Sequence, residues 1–297
     1  TASNHLLILF SSIVIIGFGA VLVVNGQLSV GSLIGFNIFS SRALVLASGA
    51  QRSYLNLTGL NTLIVSSYEK LKGSKERYQG MQLNTVTGNI KLSKIDFSYN
   101  KSDFLFRNLS ISINPGQLVC ISGSNGDGKT TLSKILIGIL EPNAGEVLVD
   151  GTNLNKLSLK WWKKQVAYIP QNPNILNSSI MDNILLGNDK LNEQEVSRLL
   201  QTVGLDQKLK KTSLTILDPI EDNLSKGVKK KIHYARALAQ NSKIFIIDDP
   251  FGYLDNQGIQ IVQKIIESFK RANKTVILFS DNNILSNVID ENIRIGN

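Results

Sequence analysis

Nine consecutive residues, Gly123-Ser124-Asn125-Gly126-Asp127-Gly128-Lys129-Thr130-Thr131, meet the phosphate-binding pattern G-x-x-x-x-G-K-[ST] at every required position. The residue types explain the chemistry. Glycines let the backbone curl until successive N–H groups face one anion, and a helix starting there adds the positive end of its dipole. Lys129 is placed to reach the β- and γ-phosphates of a nucleotide, and the Thr130 hydroxyl to complete the shell of a magnesium ion. The competing account is a Gly-rich turn that matches by chance.

A phosphate loop needs an acidic partner to hold the metal through water. The apolar run 244–247 supplies one, since it ends in Asp248 and Asp249. A strand there, neighbouring the one that carries the loop, would deliver both carboxylates to its C-terminal edge, where ligands sit in open α/β sheets. Asp248 is the metal-side acid, and Asp249 is placed to polarise an attacking water. Solvated acids closing a strand are the plainer reading of the same pair.

Periodicity gives the elements that must position these groups. Residues 117–122 form an expected buried strand ahead of the loop, and 131–137 carry apolar residues at helical spacing behind it. Further strands are expected at 90–93, 166–169, 244–247 and 275–279. Helices are expected after Lys129, near 197–203, and over 229–240 and 257–272. This alternation means an α/β layered domain with a parallel-sheet core.

Charge is distributed unevenly along the 297 residues. No Asp, Glu, Lys or Arg occurs before Arg42, which argues for a membrane part followed by a soluble part. The net charge of +9 and the clusters Lys208-Lys210-Lys211 and Lys229-Lys230-Lys231 invite a nucleic-acid reading. Aromatic residues are not interleaved with them, so nucleic acid is not an expected partner. A solvated face, or attraction to an anionic inner leaflet, is the better account. The single cysteine, Cys120, falls in a buried strand, so no disulfide framework exists and a reducing compartment fits the soluble part.

Two membrane spans are expected, at about 6–24 and 33–60, within a membrane part covering 1–67. A signal peptide is the alternative for the first, but no basic segment precedes it. Ser40, Ser41, Arg42, Ser48, Gln51 and Arg52 make the second span unsuited to lipid on all sides, so it should face other helices or an aqueous path. Arg42 either touches a translocating substrate or pairs and snorkels. Lys70, Lys72, Lys75 and Arg77 put the following end in the cytoplasm. Residues 68–88 form a charged linker, and 89–297 the soluble domain. Because the chain begins at Thr1 and its spans have a polar face to bury, it is expected to be cut from a larger membrane domain; an obligate oligomer of two-span subunits is the alternative.

Taken together, these motifs resemble ATP-binding cassette (ABC) exporters over nearly the whole chain. Tyr99 stands where that family has its adenine-stacking aromatic, and Gln171 matches the glutamine joining the metal site to the membrane domain. Residues 180–184 follow as the pattern expects. Leu224-Ser225-Lys226-Gly227-Val228 occupies the place of the LSGGQ signature, and 232–238 keep its helix. Leu254-Asp255 fits the end of the loop after Asp249, while 26–34 and 41–44 resemble the last two membrane helices of type I protein-secretion exporters.

The resemblance implies an α/β P-loop NTPase fold preceded by transmembrane helices. It implies ATP and Mg²⁺ as cofactors, bound by Tyr99, the loop Gly123 to Thr131, and Ser225 and Gly227 of a facing subunit. Thr130, Gln171 and Asp248 would hold the metal; Asp249, Gln171 and the position of Asp281 would be catalytic. The implied partners are a second ABC subunit, membrane lipid and an exported substrate of protein or peptide type.

Departures from the pattern bear on catalysis. Lys226 replaces the first signature glycine, and either obstructs close approach or adds attraction to phosphate; Val228 replaces the glutamine. Asp249 replaces a glutamate, drawing the carboxylate back by one methylene. Asp281 stands at the switch histidine, exchanging a donor for an anion that would repel the γ-phosphate. Residues 218–222 (DPIED) alter the segment before the signature, and 293–297 end before the family's usual further helices. His5 and His233 are expected to be structural. Three readings follow: a weak but active transport ATPase, an ATP-binding half that leaves hydrolysis to a partner, and an unrelated membrane-attached P-loop kinase.

Overall fold

The structure is a computed structural model that describes residues 2–73, 79–100, 103–186, 191–206 and 224–296. Lys208, Lys210, Lys211, the segment 218–222, Lys75 and Arg77 lie outside the described residues, as do the side chains of His5, Ser48, Arg52, Lys70 and Lys72. The chain forms two compact units, Thr1–Lys75 and Glu76–Asn297.

The first unit is a helical hairpin. Helix α1 (Ala2–Val24) ends because Gly26, at φ 73°, takes the left-handed conformation a side chain would resist. Gln27 N–H then bonds Leu22 O at 2.9 Å and Gly26 N–H bonds Val23 O at 3.0 Å, closing a Schellman motif over the last carbonyls. Ser29 restarts the helix by accepting from Ser32 N–H at 3.2 Å. Helix α2 (Val30–Gly73) packs on α1 where Gly19 meets Leu33: a Cβ on Gly19 would lie 2.1 Å from Leu33 Cδ1. By length and composition, Val30–Gln51 is apolar enough to cross a membrane, and Leu9–Val24 is a shorter apolar stretch. Phe18, Phe36, Phe39 and Leu46 are exposed, and Arg42 is exposed too.

Within the linker expected at 68–88, the structure describes residues 68–73 and 79–88. Residues 68–73 continue α2, because Glu69, Lys70, Leu71 and Lys72 are strong helix formers with no breaker before Gly73. Downstream, Met81 exchanges backbone bonds with Lys156 O and Ser158 N–H at 2.9 Å each, and Leu83 and Val86 pack against the core of the second unit.

The second unit is built on a five-stranded parallel sheet in the order β6-β7-β8-β3-β9. These strands are β3 (Leu118–Ser122), β6 (Val166–Ile169), β7 (Ile244–Asp248), β8 (Thr275–Phe279) and β9 (Glu291–Arg294). Strands β7 and β8 are buried at every residue, as parallel strands covered on both faces must be. Alternate residues serve two cores. Val119, Ile121, Ile246 and Ile277 join one; Cys120, Phe245, Ile247 and Leu278 join the other.

The first core is closed by a sheet that the sequence reading lacked. It is antiparallel, in the order β2-β1-β4-β5, from β1 (Ile90–Phe97), β2 (Phe106–Ile113), β4 (Ala144–Val149) and β5 (Thr152–Asn153). Register shifts after Leu92 and Ser93 break the alternation by which such strands are recognised. Helices α3 (Lys129–Leu136) and α4 (Leu159–Gln165) also contribute to this core, the latter through Trp162, whose indole N–H reaches Leu136 O at 3.1 Å. The second core takes α5 (Ile180–Leu185), α6 (Glu193–Thr202), α7 (Lys226–Gln240) and α8 (Asn256–Arg271). Phe245 stacks on Phe269 there at 3.9 Å between centroids. Each such fully buried side chain contributes roughly 1.5–3 kcal/mol relative to exposure.

One topological expectation needs correction. Strand β8 lies between β3 and β7, so Asp248 comes from the next strand but one to the phosphate loop, not from its neighbour. The carboxylates still reach the same sheet edge, because parallel strands all end on one side.

Candidate functional site

Strand β3 ends at Ser122, and the loop turns with Gly126 at φ 101° and Gly128 at φ 92°, both closed to ordinary side chains. Gly128 is also crowded, since a Cβ there would meet the Phe106 ring at 2.6 Å. Asp127 folds back inside the loop to accept from Ser124 N–H at 2.6 Å. Helix α3 starts with Lys129, and its first backbone bond is Leu132 N–H to Gly128 O at 2.8 Å. The amides of Lys129, Thr130 and Thr131 precede that bond, so the helix itself leaves them to an anion.

These residues line one cleft of ≈ 1070 Å³ with Tyr99, Gln171, Asp248, Asp249 and Asp281. Ser124, Asn125, Gly126, Gly128 and Thr131 share it, while Gly123 holds the loop through its N–H to Asp281 and Asp127 through Ser124 N–H. Thr130 Oγ1 lies 3.5 Å from Gln171 Oε1. Tyr99 is 64% exposed, stands edge-on to Phe97 at 5.0 Å, and is fixed by a 3.0 Å bond between its hydroxyl and Thr131 Oγ1. Its ring is thus anchored at the hydroxyl while most of its surface stays exposed.

Asp248 is 3% exposed, and its Oδ2 has no hydrogen-bond partner. Burial pushes its carboxyl above the ordinary range, against the opposing pull of Thr130 and Lys230. Asp249 follows at φ 51°, the left-handed region that aspartate tolerates better than most side chains. Its N–H bonds Phe279 O at 3.0 Å. Gly252 leaves room for its carboxylate: a Cβ there would lie 2.2 Å from Asp249 Oδ2.

Asp281 stands on the far side of the cleft, one residue beyond Ser280, whose N–H is bonded to Ile121 O at 3.2 Å. Its Oδ2 pairs with Lys129 Nζ at 2.8 Å, and its Oδ1 accepts from Gly123 N–H at 2.8 Å. Burial raises this carboxyl, but the Gly123 amide and the Lys129 ammonium outweigh it and hold it below the usual carboxylate range. Lys129 also donates to the carbonyls of Gly123 and Ser124.

Ser225 and Gly227 do not line this cleft. Ser225 caps α7, accepting from Val228 N–H at 3.4 Å, and Gly227 is required because a Cβ would meet Tyr253 O at 2.6 Å. Lys226 also lies outside this cleft. It lies over the Tyr253 ring at 4.6 Å, and Tyr253 OH donates to Asn172 Oδ1 at 2.9 Å.

The solvated lysine face expected at 229–231 is overturned. Lys230 is fully buried and Lys231 4% exposed. Lys230 Nζ donates to Pro170 O at 2.9 Å and to Asp248 O at 3.0 Å, tying the residue before Gln171 to the residue before Asp249. Its ammonium is pushed down to about 8 by burial, with Asp249 and Asp248 opposing. The signal was available in the helical period, since Lys230 shares a stripe with the buried Tyr234 and Ala237. His233 is structural as expected: its Nε2 meets Asn174 O at 2.8 Å, and burial pushes it down to about 4. Arg236 completes the same seam with a bond to Asn183 O at 2.6 Å.

A family model described as ABC transporter matches residues 106–252. The chain is 29% identical over 265 residues to the alpha-hemolysin translocation ATP-binding protein HlyB of Escherichia coli, covering 88% of this chain and 38% of that protein. It is 30% identical over 267 residues to the leukotoxin translocation ATP-binding protein LktB of Mannheimia haemolytica, with the same two coverages. It is 32% identical over 204 residues to ABC transporter B family member 1 of Arabidopsis thaliana, covering 67% of this chain and 16% of that one. The chain thus spans 16% to 38% of these curated relatives. The structure of a bacterial Atm1-family ABC exporter with ATP bound shares the fold, at a TM-score of 0.69 and 19% identity, over 91% of this chain and 48% of that one.

Proposed function

The chain belongs to the ABC transporter family and carries its ATP-binding domain, and from that premise we propose that it powers export across a membrane by binding and hydrolysing ATP. The observation that carries the reading is the convergence of Lys129, Thr130, Gln171 and Asp248 on one cleft, with an unpaired carboxylate oxygen buried at its floor.

That orphaned Asp248 oxygen supports a metal site. Its neighbours Thr130 and Gln171 bring a hydroxyl and an amide oxygen within 3.5 Å of each other, donors of the kind a hard cation such as Mg²⁺ prefers. Bound by Thr130 and Gln171 directly and by Asp248 through water, the ion would neutralise charge on the phosphates. The chain's own groups do the rest. The first-turn amides of α3 grip the inner phosphates, Lys129 meets the terminal ones, and Tyr99 offers its exposed ring to the adenine. Asp249 orients the attacking water and accepts its proton.

Residues 1–67 are, in this reading, the end of the transmembrane domain. The cassette lies on the cytoplasmic side of an inner or plasma membrane, and it closes on ATP against the Ser225 and Gly227 of a second ABC subunit. The likeness to HlyB and LktB favours a secreted protein or peptide as substrate. Vanadate-sensitive ATP turnover by the full chain, lost in Lys129→Ala, is the expected result. Turnover no higher in the wild type than in that variant overturns the reading.

A further inference from the structure

Lys129 does not stand open to a phosphate. One carboxylate, Asp281, bridges its ammonium and the Gly123 amide, each at 2.8 Å, which is the two-point grip that a pair of phosphate oxygens would take. We propose that Asp281 is a specificity-determining residue for the nucleotide's phosphate tail: it serves as an internal anion at the terminal-phosphate end of the cleft and lowers the preference for nucleoside triphosphate over diphosphate. The inference rests on the nucleotide-binding reading given above.

The cradle divides into two parts. The inner phosphates are met by the amides of Lys129, Thr130 and Thr131, and none of the contacts of Asp281 involves them. The terminal phosphate depends on the Lys129 ammonium, and that is the group Asp281 holds. A diphosphate brings only its β-phosphate toward Lys129 and so presses on the pair less than a triphosphate does. A triphosphate must displace Asp281 from Lys129 or sit beside a like charge, so the repulsion falls mainly on the extra phosphoryl group.

Asp281 is placed for this role by backbone on both sides. Ser280 N–H is tied to Ile121 O at 3.2 Å, and Asn282 bonds Ser280 Oγ through its N–H at 3.1 Å before capping the short 3-10 turn Asn283–Leu285. The Asp281 side chain is itself 52% exposed, against 16% for Lys129. It can swing into water when a ligand displaces it, while the cation stays in the cleft.

The test is equilibrium binding of fluorescent N-methylanthraniloyl derivatives of ADP and of a non-hydrolysable ATP analogue to the full chain in detergent, with Mg²⁺, at neutral pH. In Asp281→Asn the Kd for the triphosphate should fall about tenfold or more, while that for the diphosphate changes less than about threefold. Asp281→Ala should shift the ratio in the same direction, which separates charge from an effect peculiar to the amide. Equal shifts for both nucleotides, or none, overturn the inference and leave the nucleotide site standing. Absence of saturable binding of either nucleotide by every form overturns the nucleotide reading and the inference with it.

Discussion

Lys129 and Lys230 bring the same charge to two edges of one site, and their surroundings treat it in opposite ways. Lys129 is partly exposed and rests on exchangeable partners: two loop carbonyls and a half-exposed carboxylate. Lys230 is fully buried, and its bonds run to the carbonyls of Pro170 and Asp248. A cation that must take up a phosphate needs partners it can leave. One that fixes the spacing between Gln171 and the acidic edge needs partners that are part of the backbone. The phosphate side of the cleft is therefore the adjustable side, and the α7 side, with Lys230, His233 and Arg236 bonded to four backbone carbonyls, is the fixed one.

The largest expected effect contrasts the two lysines directly. Lys230→Met leaves two buried carbonyls without their donor, at about 1–3 kcal/mol each before the relief of no longer burying a charge. Lys129→Ala loses an ion pair to a half-exposed carboxylate, worth about 0–1 kcal/mol, and two loop-carbonyl bonds that water can replace, and it is expected to abolish turnover. Both tryptophans, Trp161 and Trp162, lie in the cassette, so urea unfolding followed by their fluorescence reads its stability. Equal destabilisation by the two substitutions breaks the contrast.

Acid should probe the fixed side next. The His233 imidazole is held at about 4 in the folded chain, against 6.5 unfolded. Between those values the unfolded chain takes up a proton that the folded one refuses, so this contribution is present above pH 6.5 and is lost as pH falls toward 4. At about 1.4 kcal/mol per pH unit, the loss approaches roughly 3 kcal/mol across the window. His233→Gln removes the titration, and its unfolding free energy should fall less steeply over the same range; an identical slope places the acid sensitivity elsewhere. The smallest effect sharpens the boundary at the start of α7. Gly227→Ala pushes against the backbone oxygen of Tyr253 and should cost about 1–3 kcal/mol, as overpacking does.

Much of this was legible before any coordinates. Strands β6 and β8 begin and end where apolar runs do, because a strand buried on both faces writes its length directly into composition. Helix α8 shows the same directness, with Val262, Ile265, Ile266 and Phe269 on one face. Strands β2 and β4 were not legible. Arg107 and the left-handed Asn108 interrupt the first, Gly145 the second, and register shifts in their partner β1 remove the period-two signal. Lys230 was missed for a different reason: three lysines in a row look like a solvated face unless the helix is turned and its inner stripe followed.

The phosphate loop, its lysine and threonine, and the acidic pair at the end of β7 were determined by the sequence alone, because a strand-turn-helix segment and a strand end are local and their residue types carry their own chemistry. Only the tertiary structure decided what Lys129 rests against. Asp281 lies 152 residues away, and it reaches that ammonium because β8 pairs with β3 and both release their chains at the same sheet edge. No periodicity records such a meeting, since it is made by strand order rather than by neighbouring residues.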